Sequence, residues 1–121
     1  MIEVSTGEIV DKFTILSIKL SKITDESKLN NVLKEYNYLD GIIRELNIDD
    51  ADLEPIHEVN QVLWDIEDSI RERESMKLFD DVFINLARNV YINNDLRAEI
   101  KKQINIKYQS AFVEEKSYKP Y

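Results

Sequence analysis

Asn60-Gln61-Val62-Leu63-Trp64-Asp65-Ile66-Glu67-Asp68-Ser69-Ile70-Arg71-Glu72-Arg73-Glu74 is the stretch whose periodicity decides the fold. At about 100° per residue, Val59, Leu63, Ile66 and Ile70 stack into one apolar seam, the pattern of an amphipathic α-helix. Asn60, Trp64, Glu67, Arg71 and Glu74 then fall into a second stripe along one border of that seam. A wholly solvated face has no need of the chain's only tryptophan at its middle. A large aromatic beside charged groups at a core boundary is what a ligand or partner surface needs.

Composition extends this helical reading to the whole chain. The 121 residues suit a single domain, 1–121, long enough to bury roughly two-thirds of its unfolded surface. Two glycines and two prolines in all leave little for tight hairpins and favour long helices joined by short polar turns. The formal charge of −8 repels a phosphate backbone, so no nucleic-acid partner is expected. The densest basic segment, Arg97, Lys101, Lys102 and Lys107, is interrupted by Asp95 and Glu99 and has few aromatics. The absence of cysteine excludes disulfides and thiolate metal sites and fits a reducing, cytoplasmic setting. Glu3, Glu8 and Asp11 are unlike the basic start of a signal peptide. No apolar run approaches the ~20 residues that span a bilayer, so no membrane association is expected.

Outward from residues 60–74, the spacing predicts five helices, roughly 5–24, 26–47, 53–77, 80–92 and 95–108. Ser5 and Glu8 form a capping-box pair that starts the first. Ile9, Phe13, Leu16, Leu20 and Ile23 are its seam, while Ile15 and Ile18 point nearly opposite. Two apolar faces place that helix either at the centre of the fold or at a subunit interface. Glu8, Lys12, Ile15 and Lys19 line one edge, where Glu8 and Lys12 are spaced for an i,i+4 ion pair. Asp25 or Thr24 caps the second helix, whose unbroken seam of Leu29, Val32, Tyr36, Leu39, Ile43 and Leu46 favours antiparallel packing on the first. Gly41 lies inside it, either at a close helix crossing or by drift. Asp52 is the expected cap of the third helix, with Pro55 in its first turn. The fourth opens near Asp80 and turns Val82, Phe83, Leu86, Ala87 and Val90 inward. Asn93-Asn94-Asp95 is read as a break that caps the fifth, where Leu96, Ile100 and Ile104 adjoin a polar row of Arg97, Lys101 and Asn105. A polar segment, 109–121, follows. The expected architecture is all-α: a compact five-helix bundle built on a long antiparallel helical hairpin.

Chemistry-bearing motifs are sparse. His57 is the only histidine; it projects away from its helix's seam, and no Gly-x-Ser-x-Gly elbow is present, which argues against a Ser/His/Asp nucleophile. Carboxylates are the remaining metal ligands. Asp65 and Asp68 have Glu-x-x-Asp-like spacing, but Glu35, Glu45 and Glu58 each lack an acidic partner three residues on. No metal and no cofactor are therefore expected. Glycines at 7 and 41 alone cannot form a phosphate-cradling loop.

The segments Met1–Leu16, Leu63–Asp68, Leu86–Tyr91, Asn94–Ala98 and Val113–Tyr118 resemble a family of small bacterial and phage proteins of unknown function, nearly end to end. The resemblance supplies no catalytic or binding residues. It implies proximity to surface-polysaccharide genes in some genomes, and that the segment 109–121 belongs to the domain, with Tyr118 and Tyr121 docking on the bundle or on a neighbouring subunit.

The 60–74 stripe thus has two readings. In one, Glu67 and Arg71 are an ordinary surface ion pair and Trp64 covers the rim of the core. In the other, Asn60, Trp64, Glu67, Arg71 and Glu74 join Arg97 and Lys101 around an inter-helical pocket for a small anionic or sugar-like ligand. Asp65, Asp68 and Glu72 are assigned to solvated surface. The functional expectation is a ligand-binding or protein-interaction module linked to surface-polysaccharide metabolism. The alternative is a small helical enzyme using Glu67, Asp68, Arg71 and Lys101 on a phosphate- or sugar-containing substrate. A homodimer through the first helix or the 109–121 segment is expected from the patch at Ile15 and Ile18.

Overall fold

The structure, a computed structural model, describes residues 4–108, and the docking expected of Tyr118 and Tyr121 lies outside them. Among the described residues there are four α-helices and no strands: α1 (Thr6–Lys22), α2 (Glu26–Glu45), α3 (Asp50–Ser75) and α4 (Asp81–Lys107). The all-α expectation holds, but five helices become four. Asn93-Asn94-Asp95 does not break the chain; it lies in the middle of the 27-residue α4. Asparagine inside a helix costs only a few tenths of a kcal/mol beyond average residues, far less than proline. Asn89 and Asn93 also turn their amides back along the helix, donating to the Asn85 and Asn89 carbonyls at 2.9 and 2.8 Å. They thereby share the carbonyls of the helix's own i→i−4 bonds and take no backbone amide as a cap would.

Capping follows the sequence at three helices of four. The Ser5 hydroxyl accepts from the Glu8 amide (3.2 Å), Asp25 from Lys28 (3.0 Å) and Asp80 from Phe83 (3.1 Å). The Glu8 carboxylate does not complete the capping box, because it pairs with Lys101 instead. α3 begins earlier than expected: Asp49, accepting from the Ala51 amide at 2.9 Å, is its cap. Pro55 accordingly falls in the second turn, where its missing amide deprives only the exposed Ala51 of a partner. Asp52 is released from capping and accepts from the Tyr108 hydroxyl at 2.5 Å and pairs with Lys107 at 2.7 Å. α2 and α3 both end in Schellman turns. Asn47 and Lys77 sit at φ 54°, and the amides of Ile48 and Leu78 bond the carbonyls of Ile43 and Arg73 at 3.2 and 2.9 Å.

α1 packs against α2, α3 and α4, and α3 packs along α4. The core unites Val10, Phe13 and Leu16 of α1 with Leu39 and Ile43 of α2, Ile48 of the α2–α3 turn, Ile56 and Val59 of α3, and Ile104 of α4. Phe13 stacks on Tyr36 with ring centroids 4.7 Å apart. Three neighbours explain the two apolar faces of α1: Ile18 is only 2% exposed within the single chain. α1 is thus central in the single chain, and Ile18 is covered within it.

α3 and α4 run in opposite directions, meeting at Arg73–Asp80 (3.6 Å) at one end and Asp52–Lys107 at the other. Each is about 40 Å long against about 25 Å for α1, so α1 covers only part of the pair. Beyond its reach apolar groups stay in solvent, among them Val82 (48% exposed) and Phe79 (55%). Val82 and Ala87 were expected inward and are exposed; Phe83, Leu86 and Val90 are half-buried.

Of the two glycines, it is Gly7, not Gly41, that lies at a close helix crossing. A Cβ on Gly7 would stand 2.6 Å from the Lys101 carbonyl oxygen, whereas one on Gly41 would meet nothing within 4 Å. Gly7 lets the α1 backbone lie directly on α4, and its amide donates to the Asn105 side-chain oxygen at 2.6 Å.

Candidate functional site

The site is built around a residue that sequence reasoning passed over. Asp11 sits on the inner face of α1, only 3% exposed. Arg97 Nε donates to Asp11 Oδ1 at 2.8 Å and Arg97 Nη2 to Oδ2 at 2.5 Å, a bidentate fork. Asn60 Nδ2 donates to Asp11 Oδ1 and to Thr14 Oγ1, both at 2.9 Å. Thr14 in turn donates to the Asp11 carbonyl at 2.8 Å. Lys101 Nζ lies 3.8 Å from Asp11 Oδ2 and pairs with Glu8. Burial by itself would raise the Asp11 pKa. The hydrogen bonds from Arg97 and Asn60, with the charges of Arg97 and Lys101, outweigh it and hold the carboxyl below its ordinary range. The same carboxylate raises the pKa of Arg97. Among the described residues no buried side-chain nitrogen or oxygen lacks a hydrogen-bond partner, as a buried polar network requires.

The polar row Arg97, Lys101 and Asn105 is therefore the surface on which α1 docks. One residue per turn of α4 meets Asp11, Glu8 and the Gly7 amide of α1 in succession.

Above this network α1, α3 and α4 enclose a groove of about 430 Å³, lined by Ile15, Asn60, Leu63, Trp64, Glu67, Asp68, Arg71, Asn94 and Arg97. Trp64 is half-buried, and Glu67, Asp68 and Arg71 are exposed at its mouth. The spacing 60-64-67-71 sets these side chains on one face of α3, and α4 contributes Arg97 and Asn94 opposite. Arg97 spends Nε and Nη2 on Asp11, and its side chain is 29% exposed. Among the described residues neither Glu67 nor Arg71 has an ion-pair partner within 4.0 Å, so the expected i,i+4 pair is not formed. Nor is the Glu8–Lys12 pair, since Lys12 bonds Glu35 of α2 at 2.8 Å.

The structure thus brings Asn60, Trp64, Glu67, Arg71 and Arg97 to one groove. Lys101 and Glu74 are not among its lining residues. Lys101 is held by Glu8 and Asp11, and Glu74 is exposed near the end of α3. Asp68, assigned to plain solvated surface, lines the groove. Asp11 and Thr14 were missed. Their signal was present, because Asp11, Thr14 and Ile18 form a 3-4 row on the α1 face that also bears Ile15. A carboxylate in a row ending on a core isoleucine asks for a buried partner.

Whole-chain comparison adds a family to this geometry. A family model described as a family of unknown function, DUF6165, matches residues 1–121. The chain belongs to that family. No curated protein and no solved structure matches it, so for this DUF6165 member the site rests on its own residues. Among the described residues no group of three or more His, Asp or Glu side chains is placed to hold a metal ion. No helix there is long and apolar enough to cross a membrane.

Proposed function

We propose that the groove between α1, α3 and α4 is a binding site for a small sugar-like ligand. The observation that carries this reading is the company kept by Trp64: one groove joins its ring to Glu67, Asp68, Arg71 and Asn94. A pyranose presents an apolar C–H face and a rim of hydroxyls that both donate and accept. An indole face serves the first, and carboxylates, an amide and a guanidinium serve the second. A volume of about 430 Å³ lies within the usual range for small-ligand sites. The buried network below fixes Asn60 and Arg97, so part of the floor is preorganised and little ordering entropy is lost on binding. The proximity to surface-polysaccharide genes that the resemblance implies is the ground for proposing a link to surface-polysaccharide metabolism.

Binding is favoured over catalysis by the position of Lys101. The enzymatic alternative needs its ammonium beside Glu67, Asp68 and Arg71, but it is engaged with Glu8 and Asp11 outside the groove lining.

The chain's only tryptophan makes the test direct, because emission excited beyond the tyrosine absorption band reports Trp64 itself. Titration with neutral, amino and phosphorylated monosaccharides is expected to change the Trp64 emission saturably for at least one of them. The same ligand must raise the unfolding temperature, since it binds the native state alone. Trp64→Ala should abolish that thermal shift while leaving the helical circular dichroism intact. If no monosaccharide moves either signal at millimolar concentration, the sugar-site reading is wrong.

A further inference from the structure

The charges around the groove say more about the ligand than its shape does. The lining holds two carboxylates, Glu67 and Asp68, and two guanidiniums, Arg71 and Arg97. They do not cancel, because Arg97 is already matched by the buried carboxylate of Asp11 through a two-bond fork. Two acids therefore face one uncommitted cation, Arg71, in a chain of formal charge −8. Local balance and mean field both oppose a phosphate or other polyanion and favour a ligand carrying positive charge.

From this imbalance, and resting on the sugar-site reading, we infer that the ligand bears an ammonium group, as an amino sugar does. Glu67 and Asp68 stand three and four residues beyond Trp64, one helical turn along α3 and on the same side. An ammonium lying over the indole face would meet both carboxylates, combining cation–π attraction with charge-assisted hydrogen bonds. Arg71 is four residues from Glu67 and three from Asp68, pairing with neither within 4.0 Å. Its guanidinium lines the same groove and is the positive charge that repels an incoming ammonium there.

That repulsion makes the sign of one substitution decisive. With an ammonium ligand, Arg71→Gln removes the repulsion and tightens binding; with an anionic ligand it removes a donor and weakens binding. The experiment follows Trp64 fluorescence during titration with glucosamine, N-acetylglucosamine, glucose and glucose 1-phosphate. Wild type, Arg71→Gln and Glu67→Gln/Asp68→Asn are compared, all changes being at exposed positions. Glucosamine is expected to bind wild type at least about fivefold more tightly than its uncharged N-acetyl form. Arg71→Gln should tighten glucosamine binding by about two- to fivefold, and the double variant should erase the preference. Raising the salt from low to 0.5 M should weaken glucosamine and leave glucose unmoved. If N-acetylglucosamine or glucose binds as well as glucosamine, the sugar-site reading stands and the ammonium inference falls. Tightest binding by glucose 1-phosphate, or weaker glucosamine binding by Arg71→Gln, also overturns the inference. Silence of all four sugars removes the inference together with the reading beneath it.

Discussion

Arg97→Met is the most informative perturbation of the fold, because it removes the charge partner of a buried carboxylate while keeping an apolar stem. In the variant, Asp11, only 3% exposed, retains Asn60 as a hydrogen-bond donor and Lys101 at 3.8 Å. Stranding one member of a buried ion pair costs about 3–5 kcal/mol. Two features reduce this. The Arg97 side chain is 29% exposed, so solvent already screens part of the attraction, and Lys101 is near enough to close on the vacated oxygen. The expected loss is about 2–3 kcal/mol. With a urea slope of about 1–3 kcal/mol per molar for a domain of this size, the midpoint should fall by about 0.7–3 M at neutral pH. The pH dependence supplies a second reading of the same contact. The folded-state pKa of Asp11 is depressed, so the native state binds fewer protons there than the unfolded chain does. Its contribution is complete above the unfolded value of about 3.9 and is lost as pH falls through the lower folded value. The gap between wild type and Arg97→Met should therefore be constant from pH 5 to 8 and shrink below about pH 3.9. Circular dichroism across urea series at pH 7 and at pH 3.5 measures both. A loss under about 0.5 kcal/mol at pH 7, the range of ordinary surface changes, would refute the assignment of Asp11–Arg97 as the clamp between α1 and α4.

Other outcomes follow from single sites. Gly7→Ala should cost about 1–3 kcal/mol, because its methyl meets the Lys101 carbonyl and the backbones must part. Gly41→Ala, in open space, should stabilise by up to about 1 kcal/mol; thermal unfolding of the two variants should move in opposite directions. Lys77→Gly should stabilise by about 0.5–1 kcal/mol, since φ 54° is strained for lysine and free for glycine; an unchanged midpoint would show the turn to be unstrained. Tyr108→Phe removes the hydroxyl that donates to Asp52 and accepts from the Asp49 amide. It should cost about 1 kcal/mol and speed hydrogen exchange at Asp49. It should also move the Asp52 pKa, lowered first by Lys107 and then by Tyr108, back toward its ordinary value in an NMR titration.

Reading the helices from sequence succeeded where the signal was local. Ser5, Asp25 and Asp80 each cap within three residues, and the 60-64-67-71 spacing needs only the helical repeat to bring its side chains to one face. It failed where a local signal was weak or shared. Asp49, Asp50 and Asp52 are interchangeable as caps on composition, and the position of Tyr108 and Lys107 decides that Asp52 serves another purpose. Asn93-Asn94-Asp95 looks like a stop signal, yet the continuous helix keeps Arg97, Lys101 and Asn105 in phase beneath α1, and those contacts outweigh a few tenths of a kcal/mol of propensity per residue.

The chain by itself therefore determined that the protein is helical, where three helices are capped, and which face of α3 carries Trp64, Glu67 and Arg71. These properties depend on neighbours within about one helical turn. Only the tertiary structure decided that Arg97 belongs to Asp11, that Gly7 rather than Gly41 marks the close crossing, and that the groove keeps an excess of carboxylate. Each of those turns on groups 86 to 98 residues apart in sequence for the α1–α4 contacts. Their pairing is chosen by which arrangement leaves no buried charge unmatched, a condition on the whole fold that no single segment contains.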